Sequence, residues 1–204
     1  MALAALGRLD DVNRVVDEAL TVKFRSGMAG GTVLSVMTVA ALELRSHGHR
    51  EASIRMAERT IAWTQTRPPA EAAGAYSQER LMWALEMTDR WAEAKTIGDA
   101  LLAKSPDDIE RLGEVGWLAA HLGDTAQARQ IAAKLRDRKP DCDDAYATFE
   151  RAKIAAQLGE KREAMALLKD AASRGYKGNI IDNEPGLEPL WGDPEFKEFI
   201  RPKG

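Results

Sequence analysis

Apolar residues recur three and four positions apart over most of the chain, the spacing of one buried helix face. Leu81, Leu85 and the stretch Ala92 to Leu102 follow it, as do Leu112, Val115 and Ala119, then Ile131, Ala132 and Leu135. Turn residues break the pattern at regular places. Gly123 leads to Ala128 and Gly159 to Ala164, five residues on; Asp89 leads in the same way to Ala94, His47 to Ala52 and Gly7 to Val12. The alanines 94, 128 and 164 lie 34 and 36 residues apart, and Pro106–Pro140 and Trp83–Trp117 each span 34. Shared spacings of this kind mark an internal repeat.

The pattern predicts five helix pairs. The first has only the tail of a first helix, Ala2–Leu6, then Asp10–Val22. A Gly-rich linker, Lys23–Gly31, leads to Thr32–Ser46 and Arg50–Thr66. After Arg67-Pro68-Pro69 come Ala72–Met87 and Trp91–Lys104, then Asp107–Leu122 with Thr125–Arg138, then Asp143–Leu158 with Lys161–Ser173. Pro106 and Pro140 stop second helices, since proline cannot continue one. The acids behind them (Asp107, Asp108, Asp141, Asp143, Asp144) suit the free N–H groups of the next helix. Beyond Arg174 the repeat ends. Residues 175–204 hold four of the eight prolines and read as a non-repeat cap, with a short helix near Glu195–Ile200. Leu187, Leu190, Trp191, Phe196 and Phe199 would cover the open end of the array, 1–174.

Composition narrows the class. The 204 residues carry 29 basic and 32 acidic side chains, so a dedicated nucleic-acid or anionic-membrane binder is not expected. Thirty-four alanines favour helices that approach closely. One cysteine excludes an internal disulfide framework. The most apolar run, Thr32–Leu44, is too short to cross a bilayer, and the N-terminus lacks the basic start of a signal peptide. A cytoplasmic chain is expected.

The spacings resemble the tetratricopeptide repeat, W-x-x-L-G-x-x-Y, A-x-x-x-F and P over 34 residues. The fourth pair matches best, with Leu112, Val115-Gly116, Ala119, Ala128, Ala132 and Pro140. The third offers Leu81-Met82, Leu85, Ala94, Gly98 and Pro106; the fifth offers Ala152, Ala155, Ala164 and Leu168, with Tyr176 in place of the proline. Small residues and prolines survive while the large aromatics are lost. The phrases Glu43–Ala52, Ala57-Glu58-Arg59 with Ile61-Ala62-Trp63, and Pro194–Gly204 resemble C-terminal tetratricopeptide regions of bacterial multidomain regulators. Those carry a Ser/Thr kinase, cyclase-like or winged-helix domain ahead of the repeats. The resemblance implies an all-α, right-handed solenoid of about five helix pairs with a C-terminal cap. It also implies a signalling context, and a piece of a longer polypeptide whose second helix leaves Val12, Val15, Val16 and Leu20 uncovered.

In such arrays the first helices line a concave groove. Transferring register from the turns puts Tyr76, Glu79, Trp83 and Glu86 there from the third pair. Glu110, Trp117 and His121 follow from the fourth, and Tyr146, Phe149 and Lys153 from the fifth. The alternative for Trp83 and Trp117 is the core, filling gaps beside Gly98, Gly113 and Gly116; their shared register predicts that both behave alike. The groove's glutamates, and the lack of a Lys/Asn/Arg clamp, point to an apolar or basic protein segment as partner. The expected function is a non-catalytic interaction scaffold, or a module acting on an upstream domain of its own polypeptide.

No enzyme, cofactor or metal is expected. His47-Gly48-His49 has no indicated third ligand and reads as a turn with Gly48 left-handed. Asp141-Cys142-Asp143-Asp144 lacks the glycine and distal glutamate of a calcium loop, and its acids disfavour a reactive thiolate. Ser26–Thr32 lacks the lysine and the spacing of a phosphate-binding loop.

Overall fold

The structure is a computed structural model that describes residues 2–21, 29–138, 144–176 and 184–201. It is all-helical, with no strand among the described residues. The chain divides into two compact units, residues 1–97 and 98–204. The first contains α1 (Ala2–Ala5), α2 (Leu9–Thr21), α3 (Ala29–Ser46), α4 (Arg50–Gln65), α5 (Pro69–Ala72), α6 (Ala75–Met87) and the start of α7 (Trp91–Lys104). The second contains the rest of α7, then α8 (Ile109–His121), α9 (Thr125–Arg136), α10 (Asp144–Gln157), α11 (Lys161–Ser173), a 3-10 helix (Pro185–Leu190) and α12 (Pro194–Ile200).

One turn recurs along the chain. Gly7, Gly48, Asp89, Gly123 and Gly159 all have positive φ, between 59° and 84°. Each donates its N–H to the carbonyl three residues back, and the next residue donates to the carbonyl five back (Gly123 to Ala120 and Asp124 to Ala119, 3.1 and 2.9 Å). These bonds satisfy carbonyls that a helix end leaves open. Glycine suits the position because it lacks the Cβ that disfavours left-handed backbone. Asp89 adopts it at φ 59° and sets its carboxylate against Arg50 at 2.5 Å.

Five residues after each left-handed residue the side chain is small or β-branched and buried: Val12, Ser53, Ala94, Ala128 and Ala164. The second pair corrects the sequence register by one position. Gly48 is left-handed, as the sequence reading has it, and the count of five runs from Gly48 rather than from His47, so Ser53 rather than Ala52 lies against the first helix. The Ser53 hydroxyl donates to the Ala41 carbonyl at 2.7 Å.

Helix starts follow the acids. Asp108 accepts from Arg111 N at 3.0 Å, Asp124 from Gln127 N at 3.0 Å and Asp193 from Glu195 N at 2.8 Å. Asp107 instead pairs with Lys134 at 2.9 Å. Pro140 and the acids Asp141 and Asp143 lie outside the described residues, as do Cys142 and most of the Gly-rich stretch. The end of that stretch, from Ala29, is already helical.

In the first unit α3 packs on α2, α4 and α6 around Leu34, Met37, Leu44, Met56 and Leu85. In the second, α10 packs on α8, α9 and α11. The C-terminal segment packs into that core. Leu187, Leu190 and Phe196 are fully buried, and Trp191 and Phe199 pack partly buried against them. The 3-10 helix is an element the periodicity does not announce.

Ala128→Leu tests the tight approach five residues after the turn. Overfilling that closed position should cost about 1–3 kcal/mol, read as a lower urea midpoint with an unchanged slope.

Candidate functional site

The polar chemistry of the second unit converges on Lys153. Its ammonium is 1% exposed and lies 2.7 Å from Glu114 Oε1, 2.9 Å from Glu150 Oε2 and 3.4 Å from Glu184 Oε1. The other Glu114 oxygen accepts from Trp117 Nε1 at 2.8 Å. The contact with Glu150 is one of charge, without hydrogen-bond alignment. All four side chains of the cluster are buried.

Three elements deliver them. Glu114 and Trp117 sit one turn apart on α8, and Glu150 and Lys153 one turn apart on α10. Glu184 precedes the 3-10 helix. Two glycines make the room. A Cβ on Gly113 would stand 1.7 Å from Glu150 Oε2, and one on Gly186 would stand 3.0 Å from Lys153 Cβ and Cγ.

Three carboxylates and one ammonium leave an excess of negative charge where water is shut out, so protonation changes. Burial, partly offset by Lys153, pushes the Glu150 carboxyl up to about 8. Burial raises Glu184 as well. Burial works against the Lys153 charge, but Glu114, Glu150 and Glu184 outweigh it and hold that lysine well above its ordinary range. Beside the cluster Tyr146, Phe149 and Tyr176 stack, with Phe149 and Tyr176 centroids 4.4 Å apart. Burial raises both tyrosine hydroxyls.

The proposed groove residues therefore separate. Trp117, Phe149 and Lys153 are each 1% exposed, so they do not line an open surface. Tyr146 is half-buried in the aromatic stack, while Glu110 and His121 are exposed. His121 Nδ1 donates to Gln157 Oε1 at 3.0 Å. In the first unit Glu86 is buried, and Tyr76, Glu79 and Trp83 flank Arg80 on α6. The Arg80 guanidinium stands 4.8 Å from the Tyr76 ring centre and 4.1 Å from that of Trp83. The Tyr76 and Ser35 hydroxyls are hydrogen-bonded. Trp83 and Trp117, each six residues before a left-handed turn residue, do not behave alike. Trp117 finds a buried carboxylate three residues back on its helix, and Trp83 finds a guanidinium there, stacked on its ring and paired with Glu79.

Glu114, Glu150, Glu184 and Gln157 were not candidates by sequence. The register held a signal: nine and six residues before the turn stand Arg80 and Trp83, Glu114 and Trp117, Glu150 and Lys153. The repeated acid in two successive pairs, with a lysine replacing tryptophan, marks a polar seam.

The two histidines of the second turn go to different partners. His49 donates to the Ala4 carbonyl at 3.0 Å, and His47 faces Glu43 at 3.6 Å. Among the described residues no group of three His, Cys, Asp or Glu is placed to hold a metal ion. No described helix is long and apolar enough to cross a membrane. The first unit also has an apolar groove of about 310 Å³ lined by Leu3, Val12, Val15, Val36 and Val39. Of the four second-helix residues expected to be uncovered, Val12 and Val16 are instead buried, because α1 and α3 pack against α2, whereas Val15 and Leu20 are exposed.

Comparisons with protein families, with functionally described proteins and with solved structures return no match.

Folding tightens the Glu150 proton, so its stabilisation is complete below the ordinary glutamate range and is lost as pH rises to about 8. Glu184 acts in the same direction, and Lys153 titrates above this window. The melting temperature should therefore fall between about pH 5 and pH 8, and Glu150→Gln should flatten that slope. Lys153→Met strands three buried carboxylates and should cost roughly 3–5 kcal/mol in urea titrations at pH 8.

Proposed function

We propose that the chain is a tetratricopeptide-like, right-handed array of about five helix pairs that serves as a non-catalytic scaffold for protein–protein interaction. The observation that carries this reading is the recurrence of one left-handed turn, with the same two hydrogen bonds and a buried small or β-branched residue five positions on. Repeated supersecondary units that share a core with their neighbours build extended binding surfaces.

The anchor on that surface is the α6 face. Tyr76 is 39% exposed and Trp83 half-buried, with Arg80 against both rings. Aromatic and arginine side chains dominate binding energy at interfaces, the rings because each covers a large area with little rotamer freedom to lose, and the arginine here because its guanidinium is already held against both rings. The partner is a peptide or protein segment with apolar groups for the rings, and the acidic Glu79 on the same face favours a basic flank.

Peptides selected from a random display library on the immobilised chain test this. Tyr76→Ala with Trp83→Ala should weaken their binding by at least about tenfold. The same pair of changes should leave stability within about 1–2 kcal/mol of the parent, since both rings are only partly buried. Undiminished binding by the double variant, or a stability loss on the scale of a core tryptophan, would remove the proposal's anchor.

A further inference from the structure

The segment Glu184–Leu190 is gripped as a docked ligand is gripped, by a side chain that reads its backbone carbonyls and by a core that takes two leucines from one face of its 3-10 helix. Gln157 on α10, steadied by His121 of α8, donates its amide to the Gly186 carbonyl at 3.1 Å and approaches the Pro185 carbonyl at 3.4 Å. Gly186 lies directly on the methylenes of Lys153. Leu187 and Leu190 are fully buried against the α10–α11 core. The 3-10 helix as a whole packs on α10 and, to a lesser extent, on α8.

The apolar fit is complete, but the charge fit is not. Lys153 is already served by Glu114 and Glu150, both closer to it than Glu184. With every group ionised, those three sum to −1, and docking Glu184 takes the closed site to −2. Even with Glu150 protonated, carboxylates outnumber the single ammonium. Bringing one more anion out of water into this site opposes the docking that the two leucines favour. Besides Lys153, the one group that favours the Glu184 charge is the Gly186 N–H of its own segment, at 3.5 Å; Tyr146 and Tyr176 are neutral phenols, and Trp117 already donates to Glu114.

We infer that this face of α8 and α10 is a binding surface for a partner segment that docks as a short 3-10 turn, and that Glu184–Leu190 is its built-in competitor. The segment it fits best carries two leucine-like anchors three residues apart. Three residues before the first anchor it has an amide or basic side chain where the chain's own segment has Glu184. The inference rests on the scaffold reading and gives it a partner chemistry and a means of self-restraint.

The test begins in the full chain. Glu184→Gln should raise the melting temperature at pH 8; a fall would show that the third carboxylate is a net attraction and would overturn the charge argument. Next, Leu187→Ala with Leu190→Ala in the full chain weakens the internal competitor. Labelled synthetic peptides covering residues 184–201 are then titrated by fluorescence anisotropy, one with the native sequence and one carrying E184Q. The Gln peptide should bind at least about tenfold tighter than the native one at pH 8. No binding by either peptide to a variant that keeps its helical circular dichroism, or tighter binding of the native peptide, would sink the proposal. Should the double variant fail to fold, excess Gln peptide added to the unmodified chain must speed amide exchange at Leu187 and Leu190 without changing α8; unaltered exchange counts against it. Tyr76- and Trp83-dependent peptide binding that survives a negative result here leaves the scaffold reading standing, whereas loss of that binding alone leaves this face standing.

Discussion

Two hydrogen bonds across a single left-handed residue set the geometry on which each unit is built. They end a first helix, reverse the chain and start the second helix at a fixed phase, so the residue five positions later always faces the first helix. A bulky side chain there would push the helices apart, and Val12, Ser53, Ala94, Ala128 and Ala164 avoid it by being small or compactly branched. The same phase determines which positions of the first helix look outward to the next element. Those six and nine residues before the turn lie one helical turn apart and form a pair on one face.

What fills that pair decides what its unit can do. In the first unit Arg80 and Trp83 make a cation–π contact at partly buried positions, where the guanidinium also pairs with Glu79 at 3.5 Å. In the second unit the equivalent positions hold Glu114 with Trp117 and Glu150 with Lys153, and packing has closed water out. The low dielectric there strengthens every attraction and every imbalance alike. A single ammonium holding three carboxylates organises the place where α8, α10 and the C-terminal segment meet, but it does so under residual charge. Apolar groups in that position would add stability with less conflict. The polar arrangement specifies where the segment sits more than how firmly.

Much of the helical framework was legible in the chain because it rests on local signals. Glycine before a helical run, aspartate after a proline and alanine at a fixed distance each have one physical meaning, and α7, α9 and α11 begin where those signals place them. The 3-10 helix was not legible. Its prolines read as breaks, while its fold depends on Leu187 and Leu190 reaching α10 and α11 far back in sequence. Of the candidate site, Tyr76 and Trp83 kept solvent contact, but Trp117, Phe149 and Lys153 went inside. A register transfer says which face a residue occupies. It does not say whether a later segment will cover that face, and here Glu184–Leu190 does. In the second turn the count of five starts at the left-handed Gly48, not at the His47 before it, which shifts the buried position from Ala52 to Ser53.

The distance from turn to buried small residue is five in every pair, whereas the small residues themselves, from Val12 to Ala164, are separated by 41, 41, 34 and 36 positions. All the length variation therefore falls outside the turn and the start of its second helix, and between the second and third pairs it includes the short helix α5. Insertions and deletions meet two very different landscapes along this chain. Between pairs they lengthen a connection at small entropic cost. A single residue added between Gly123 and Ala128 would instead rotate everything after it by about 100° and turn the apolar stripe of α9 toward solvent. Gene-level slippage is thus filtered by position, and repeats of unequal length can coexist in one protein whose turns do not differ.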